Sequence, residues 1–290
     1  MTSATTGSGD TLHDIGQFGV WRGYQHVSPE LAAEIEKLGF GAVWLGSSPG
    51  EDLETVEGLL AATEHLVVAT GIVNVWAAAP AATAASYHRI EQRFPGRFLL
   101  GIGIGHPEHT AEYRSPYEAL VEYLDVLDAE GVPADRRVLA ALGPRVLRLA
   151  RDRTRGAHPY LVPATYTRQA REILGVGPLL APEHKVVLET DPVAARAVGR
   201  PPVDRPYLHL RNYVSNLERL GWTEADIADG GSDALIDALV AHGTASAVAA
   251  QLREHLAAGA DHVPVQVLPQ SGDPLPALRE LAAALELPGA

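Results

Sequence analysis

The chain contains no cysteine. Disulfides, thiolate metal sites and a catalytic thiol are therefore excluded, and a reducing compartment is expected. Lysine occurs only at Lys37 and Lys185, so the basic residues are almost all arginine. Acidic groups outnumber basic ones, 36 to 23, for a formal charge of −13. A nucleic-acid partner, which needs clustered cations against phosphate, is not expected. Long apolar runs are missing as well. Every hydrophobic stretch is broken by Gly, Pro or charge well short of the ~20 residues that cross a bilayer, so no membrane contact is expected. The opening MTSATTGSGD has neither the basic start nor the apolar core of a secretory leader. A cytoplasmic location is expected, with residues 1–13 a disordered Ser/Thr/Gly-rich tail.

What remains is ordinary globular material: 290 residues, 46% hydrophobic and 20% charged, with a mean hydropathy near zero. Short apolar segments alternate with amphipathic ones. Strands are expected at 15–21, 41–46, 66–76, 97–105, 137–143, 157–162, 184–190 and 261–268. Helices are expected at 30–38, 53–63, 81–94, 115–130, 145–155, 165–174 and 275–286, with further helical patterns at 192–199, 205–220, 232–242 and 244–258. Ser28-Pro29-Glu30 supplies a cap, an N1 proline and an acidic first turn, and Gly39 ends that helix. Near-continuous apolar strands separated by helices indicate a parallel sheet covered on its outer face. Eight such units over this length predict one (β/α)8 barrel spanning 14–290, with a helical insertion at 191–260 between strands seven and eight. An open doubly wound sheet is the alternative architecture. Pro264 lies inside strand eight, where its missing donor predicts a bulge.

Barrel chemistry sits where strands end. The sequence offers glycine, aromatic, histidine and asparagine at those points and no dense carboxylate set, which disfavours a metal hydrolase or a glycosidase. After strand five, Ala141, Leu142 and Gly143 lead into Pro144 and Arg145. Glycine lets the backbone approach a ligand, and a helix opening on proline leaves free N–H groups that suit an anion. The bland alternative is a tight strand-to-helix turn. GIGIGH at 101–106 is GxGxG rather than the dinucleotide GxGxxG, and its glycines fit a strand packed beneath a flat ring. In HPEH, His106 and His109 flank Pro107 and Glu108. No third metal ligand is evident, so no metal is expected, and His106 is the candidate proton carrier. Trp21, Trp44 and Trp76 fall at or near strand ends, where they either line one mouth as an apolar, stacking-capable pocket or, Trp44 above all, simply pack in the core. Asn74 is placed either to bond a ring carbonyl or to cap a turn, and His158 is either a core histidine or a ligand contact.

The segments VWLGSSPGEDL, LVVATGIVNVW, RFPGRFLLGIGIGHPEHTAEYRSPY, LAALGPR and GAHPYLV, in this order, resemble the bacterial-luciferase-like superfamily. Within it the chain is most similar to the branch of coenzyme F-420-dependent oxidoreductases, from about residue 14 to the C-terminus. That resemblance implies a barrel holding the deazaflavin ring at its C-terminal mouth, with the cofactor phosphate at Ala141–Gly143. It implies a non-proline cis peptide behind the ring at Gly71-Ile72, and a homodimer. It also places His106 where the sugar-phosphate dehydrogenase branch has glutamate, and Gly46-Ser47 where that branch has Asp-His, so sugar-phosphate oxidation is not implied. The reading that results is an F-420-dependent oxidoreductase exchanging hydride with a small organic substrate. Gly71, Ile72, Asn74, Trp76, Ala141, Leu142, Gly143, Arg145 and His158 would bind the cofactor, and His106 would carry the proton. A reduced-FMN, oxygen-using monooxygenase is the alternative, and a non-catalytic flavin-binding paralogue the third.

Overall fold

The computed structural model describes residues 12–105 and 115–289. The first four βα units are β1 (Phe18–Gly23) and α1 (Pro29–Lys37), β2 (Ala42–Gly46) and α2 (Glu54–Ala61), β3 (Val67–Thr70) with β4 (Val73–Asn74) and α3 (Pro80–Arg93), and β5 (Phe98–Gly103) and α4 (Pro116–Ala129). Next come β6 (Arg137–Leu139) and α5 (Pro144–Arg153), β7 (Gly156–Ala157) and α6 (Ala164–Leu174), then β8 (Leu179–Leu180) and β9 (His184–Val187). The insertion holds α7 (Pro192–Asp204), α8 (Arg211–Arg219), α9 (Glu224–Ile227), α10 (Asp233–Leu239) and β10 (Val240–His242). α11 (Ala245–Ala257) closes it, and β11 (Val263–Val267) and α12 (Leu275–Leu285) follow. No described helix is long and apolar enough to cross a membrane.

All pairings are parallel, in the order β10-β9-β11-β1-β2-β3-β5-β6-β7-β8, with β4 on β5. The segment 179–187 joins the two ends of this path. The Ala181 and Glu183 amides donate to Ala157 and Pro159, while Leu180 accepts from Asp261 and His262 on the opposite side. The sheet is thereby curled into the expected barrel. Strand seven is thus two short pieces, β8 and β9, and its second half carries an extra neighbour in β10. Residues 240–242 were expected as a helix end; paired to Lys185–Val187, they are extended instead.

Side chains alternate faces along each strand. Trp21, Trp44, Ala69, Leu99 and Val138 fill the lumen, whereas Val20, Val43, Val68, Leu100 and Leu139 pack outward beneath the helices. Each large side chain buried this way contributes roughly 1.5–3 kcal/mol. The insertion has its own core, built on Val203, Leu217, Leu235, Ile236 and Leu239. The Ser28 Oγ accepts from the Leu31 amide, so α1 is capped as its sequence predicts. Leu12 is buried and the His13 amide donates to Gly96 O, which ties the end of the N-terminal segment to the barrel.

Pro264 does not bulge its strand. Phe18, Gly19 and Val20 pair one-for-one with Val263, Pro264 and Val265. Val263 donates towards β1, so the donor missing at Pro264 faces the other neighbour, where pairing starts only at Val265–His184. The slip falls in strand three instead. Ala69 pairs with Leu99 but Val73 with Ile102, so one extra residue lies between them. Thr70 Oγ1 bridges the gap, donating to Gly101 O and accepting from Gly101 N, both at 2.8 Å. The peptide Gly71-Ile72, inside this bulge, is cis, as the family resemblance implies.

Candidate functional site

The C-terminal mouth opens on a cavity of about 660 Å³. Gly71 and Ile72 of the bulge, Trp21 and His158 line one part of it, and Ala141, Leu142 and Gly143 another. Ser47, Ser48, Gln266 and Gln270 line it after or within β2 and β11, and Tyr207, Asn212 and Tyr213 come from the insertion. Among the described residues of this wall, Arg205 is the one charged side chain.

Gly71 is glycine because nothing larger fits. An added Cβ would lie 2.8 Å from Trp21 Nε1 and 3.1 Å from His158 Nε2. Neither ring has room to retreat. A Cβ on Gly46 would collide with the Trp21 ring, and the His158 ring stacks on Trp44 with centroids 4.2 Å apart. His158 Nδ1 bonds the Ala181 carbonyl at 2.7 Å, which makes Nδ1 the protonated nitrogen and leaves Nε2 an acceptor. Burial pushes its pKa down to about 4, so the ring is neutral near neutral pH. The Trp21 Nε1 donor and the His158 Nε2 acceptor both lack a partner among the described residues.

The three tryptophans are not gathered at one mouth, and for Trp44 the core-packing alternative holds. Only Trp21 lines the cavity. Trp44 lies one layer deeper in the lumen, fully buried, with Nε1 donating to His262 Nε2 at 3.0 Å. Trp76 is not part of the wall; its amide donates to Asn74 Oδ1 at 3.0 Å. Asn74 therefore caps a turn, and it also lines the cavity. Arg145 stands off the wall too, its guanidinium 3.6 Å above the Tyr117 ring. Arg137 and Arg153, on either side of Arg145 in sequence, pair with Asp128. His106, with the rest of HPEH, lies outside the described residues.

After β6 the backbone is oriented by a residue without a sequence signal. The Tyr166 hydroxyl lies 2.9 Å from Ala141 O and 3.0 Å from Leu142 O. In a trans peptide the N–H points opposite to the C=O. Leu142 and Gly143 thus turn their amides away from Tyr166, and neither has an acceptor among the described residues. A Cβ at Gly143 would meet nothing within 4 Å. Open space, two free amides and the start of α5 together form an anion-compatible corner.

On the insertion side the rings run Trp21–Tyr160–Tyr207–Tyr213, with centroids 5.1, 5.2 and 4.8 Å apart. Beneath Tyr160 sits the buried Lys185, its Nζ 3.9 Å from that ring and 3.1 Å from Glu183 Oε1. Burial lowers the Lys185 pKa and raises that of Glu183. Burial also holds Tyr160 well above, and Tyr207 up to about 12, so both hydroxyls stay protonated.

A family model described as luciferase-like monooxygenase matches residues 22–130, the stretch from the end of β1 through α4. No curated protein matches the chain significantly. Among solved structures, an F420-dependent secondary alcohol dehydrogenase in complex with an F420-acetone adduct is similar at 14% identity and TM-score 0.71, over 94% of this chain and 99% of that one. A coenzyme F420-dependent tetrahydromethanopterin reductase from Methanopyrus kandleri is similar at 16% identity and TM-score 0.62, over 95% and 98%. The oxygenating constituent of 3,6-diketocamphane monooxygenase from Pseudomonas putida, in complex with FMN, is similar at 14% identity and TM-score 0.70, over 94% and 97%. The chain therefore has a luciferase-like fold, shared by F420-dependent and FMN-dependent proteins alike.

Proposed function

We propose that the chain is an oxidoreductase that works with a phosphorylated tricyclic redox coenzyme, and that this coenzyme is F-420. The observation that carries the reading is one cavity bounded by the glycine bulge at Gly71-Ile72 and by Leu142 and Gly143, whose amides have no acceptor among the described residues. A flat ring needs a wall without side chains, which Gly71 provides. A phosphate needs amides not committed elsewhere, which Tyr166 arranges by occupying the neighbouring carbonyls. When bound, such a coenzyme supplies the hydride chemistry. The chain's part is to hold the ring against the bulge, to exclude water with the tyrosine-lined insertion, and to move a proton, for which His106 is the candidate. Arg145 would need to leave Tyr117 to meet an acidic cofactor tail. Support for F-420 over FMN comes from the resemblance of the ordered segments as a whole to the F-420 branch.

The second reading, a reduced-FMN monooxygenase, is favoured by the description of the matching family model and by the FMN-bound neighbour. Titrating purified protein with F-420 and with FMN, followed by fluorescence, separates the two. Saturable F-420 binding with weaker FMN binding supports the proposal; a tight FMN complex without F-420 binding reverses it. A homodimer in the cytoplasm remains part of the proposal, and gel filtration tests the dimer.

A further inference from the structure

The loop after β11 is fastened to the end of β1 by a buried arginine. Arg22 Nη2 donates to the carbonyls of Gln270 and Gly272 at 2.6 and 2.7 Å, and its Nε to His26 O at 2.9 Å. The Gln270 side chain is fixed separately, because the Gly23 amide donates to its Oε1 at 3.1 Å. A backbone N–H can only donate, so the atom it meets must be the carboxamide oxygen. The amide nitrogen is then left over. It has no hydrogen-bond partner among the described residues, and Gln270 lines the cavity. Ser47 stands beside it: its Oγ and the Gln270 Oε1 lie 3.1 and 3.4 Å from the point a Gly23 Cβ would occupy. Ser47 and Ser48 are held at φ 63° and 52°, a left-handed conformation that non-glycine residues adopt at a cost and that clusters at ligand sites.

We propose that Gln270 determines specificity, donating its carboxamide N–H to an uncharged oxygen acceptor, so that the cavity takes a ketone, aldehyde or amide in preference to an amine. An amine's ammonium form would meet no carboxylate in the described wall, whereas Arg205 would repel it. A donor fixed before the ligand arrives loses little freedom on binding. A polar group positioned to bond an acceptor also discriminates against ligands that lack one. The identity of the substrate class rests on the redox reading above, but the recognition itself depends on this chain alone.

Two variants and two probes test it on the full chain. Gln270→Glu keeps an oxygen for the Gly23 amide while replacing the donor by a negative acceptor; Gln270→Leu removes both. Binding of cyclohexanone and cyclohexylamine is measured by ligand-observed NMR, with F-420 and FMN titrated separately and Tm recorded. Wild type is expected to favour the ketone. Gln270→Leu should weaken ketone binding roughly three- to tenfold, the worth of one hydrogen bond. Gln270→Glu should reverse the order in favour of the amine, with coenzyme affinity and Tm unchanged. The same ranking in all three proteins overturns the proposal, as does a Gln270→Glu variant that loses coenzyme affinity and keeps the ketone preference. If neither coenzyme binds wild type and the ranking still follows residue 270, the redox reading falls and the donor assignment stands.

Discussion

Acidification from pH 7.5 to 5 should destabilise this protein severely, and histidine should be the reason. His158, His184 and His262 are buried with pKa values pushed down from 6.5 to about 4, in each case chiefly by desolvation. Their bonding fixes them neutral. His158 Nδ1 meets Ala181 O, His262 accepts from Trp44 and bonds Gly16 O, and His184 Nδ1 lies 2.9 Å from His255 Nε2. A base whose folded pKa is depressed contributes stability that is complete above its unfolded pKa and is lost as pH falls towards the folded one. The window therefore runs from about 6.5 down to about 4. At pH 5 each group forfeits about 2 kcal/mol. His255, lowered well below its ordinary value, acts in the same direction. Glu183, raised by burial, acts in the opposite sense, one group against four. Carboxylates with depressed values, such as Asp128 and Asp237, contribute losses only below the ordinary carboxylate range. A total of about 6 kcal/mol or more is comparable to the whole stability of a typical domain. Urea unfolding followed by tryptophan fluorescence at pH 7.5, 6 and 5 should show the midpoint collapsing over that range. A midpoint constant across it would refute the argument.

Three substitutions probe separate parts of the site. Gly71→Ala should overpack the bulge by about 1–3 kcal/mol and lower Tm by several degrees while weakening coenzyme binding; unchanged Tm and affinity would contradict the contacts with Trp21 and His158. Gly143→Asp should leave Tm equal or slightly higher, because it places a good N-cap residue in open space at the start of α5. Its carboxylate should at the same time reduce affinity for a phosphorylated coenzyme roughly 10- to 100-fold, and equal affinity by titration would remove the phosphate from that corner. Lys185→Met strands a buried carboxylate and should cost about 3–5 kcal/mol in urea unfolding. Adding Glu183→Gln should recover part of that loss, and a neutral single variant would show the pair to be dispensable.

Much of the barrel is legible because β-strands buried on both faces must be apolar nearly throughout, and helices announce themselves by caps such as Ser28-Pro29. What escapes notice is governed by pairing rather than by composition. Val240–His242 reads as the end of a helix and becomes a strand only because Lys185–Val187 offers it an edge. The slip in strand three is invisible in LVVATGIVNVW because Thr70 replaces a backbone partner with a side chain. Pro264 misleads in the opposite direction, since its missing donor faces a neighbour whose pairing has not yet begun. The site divides in the same way. Gly71, Ala141–Gly143 and His158 lie at strand ends and meet around one cavity, whereas Trp76 and Arg145, equally near strand ends, are not part of its wall. Gln270 follows the last strand and obeys the strand-end rule, so a signal for it exists. Tyr166, Tyr207 and Tyr213 have no such signal, because tertiary packing alone brings them to the mouth.

The chemistry of the described wall implies where pH should act on turnover. His158 titrates near 4 and Tyr207 near 12, Tyr160 lies well above its ordinary value, and the wall contains no carboxylate. None of these groups changes charge between pH 5 and 9. A limb in kcat/KM inside that interval, at pH values where the urea midpoint is still unchanged, must then belong to a group beyond the described wall or to the coenzyme, and His106 is the residue with the right chemistry. His106→Ala should therefore lower kcat/KM by about 10²–10⁴ and abolish the limb, while leaving coenzyme affinity intact. If the limb survives the substitution, the proton travels by another route and His106 loses its assigned role, whichever coenzyme proves to bind.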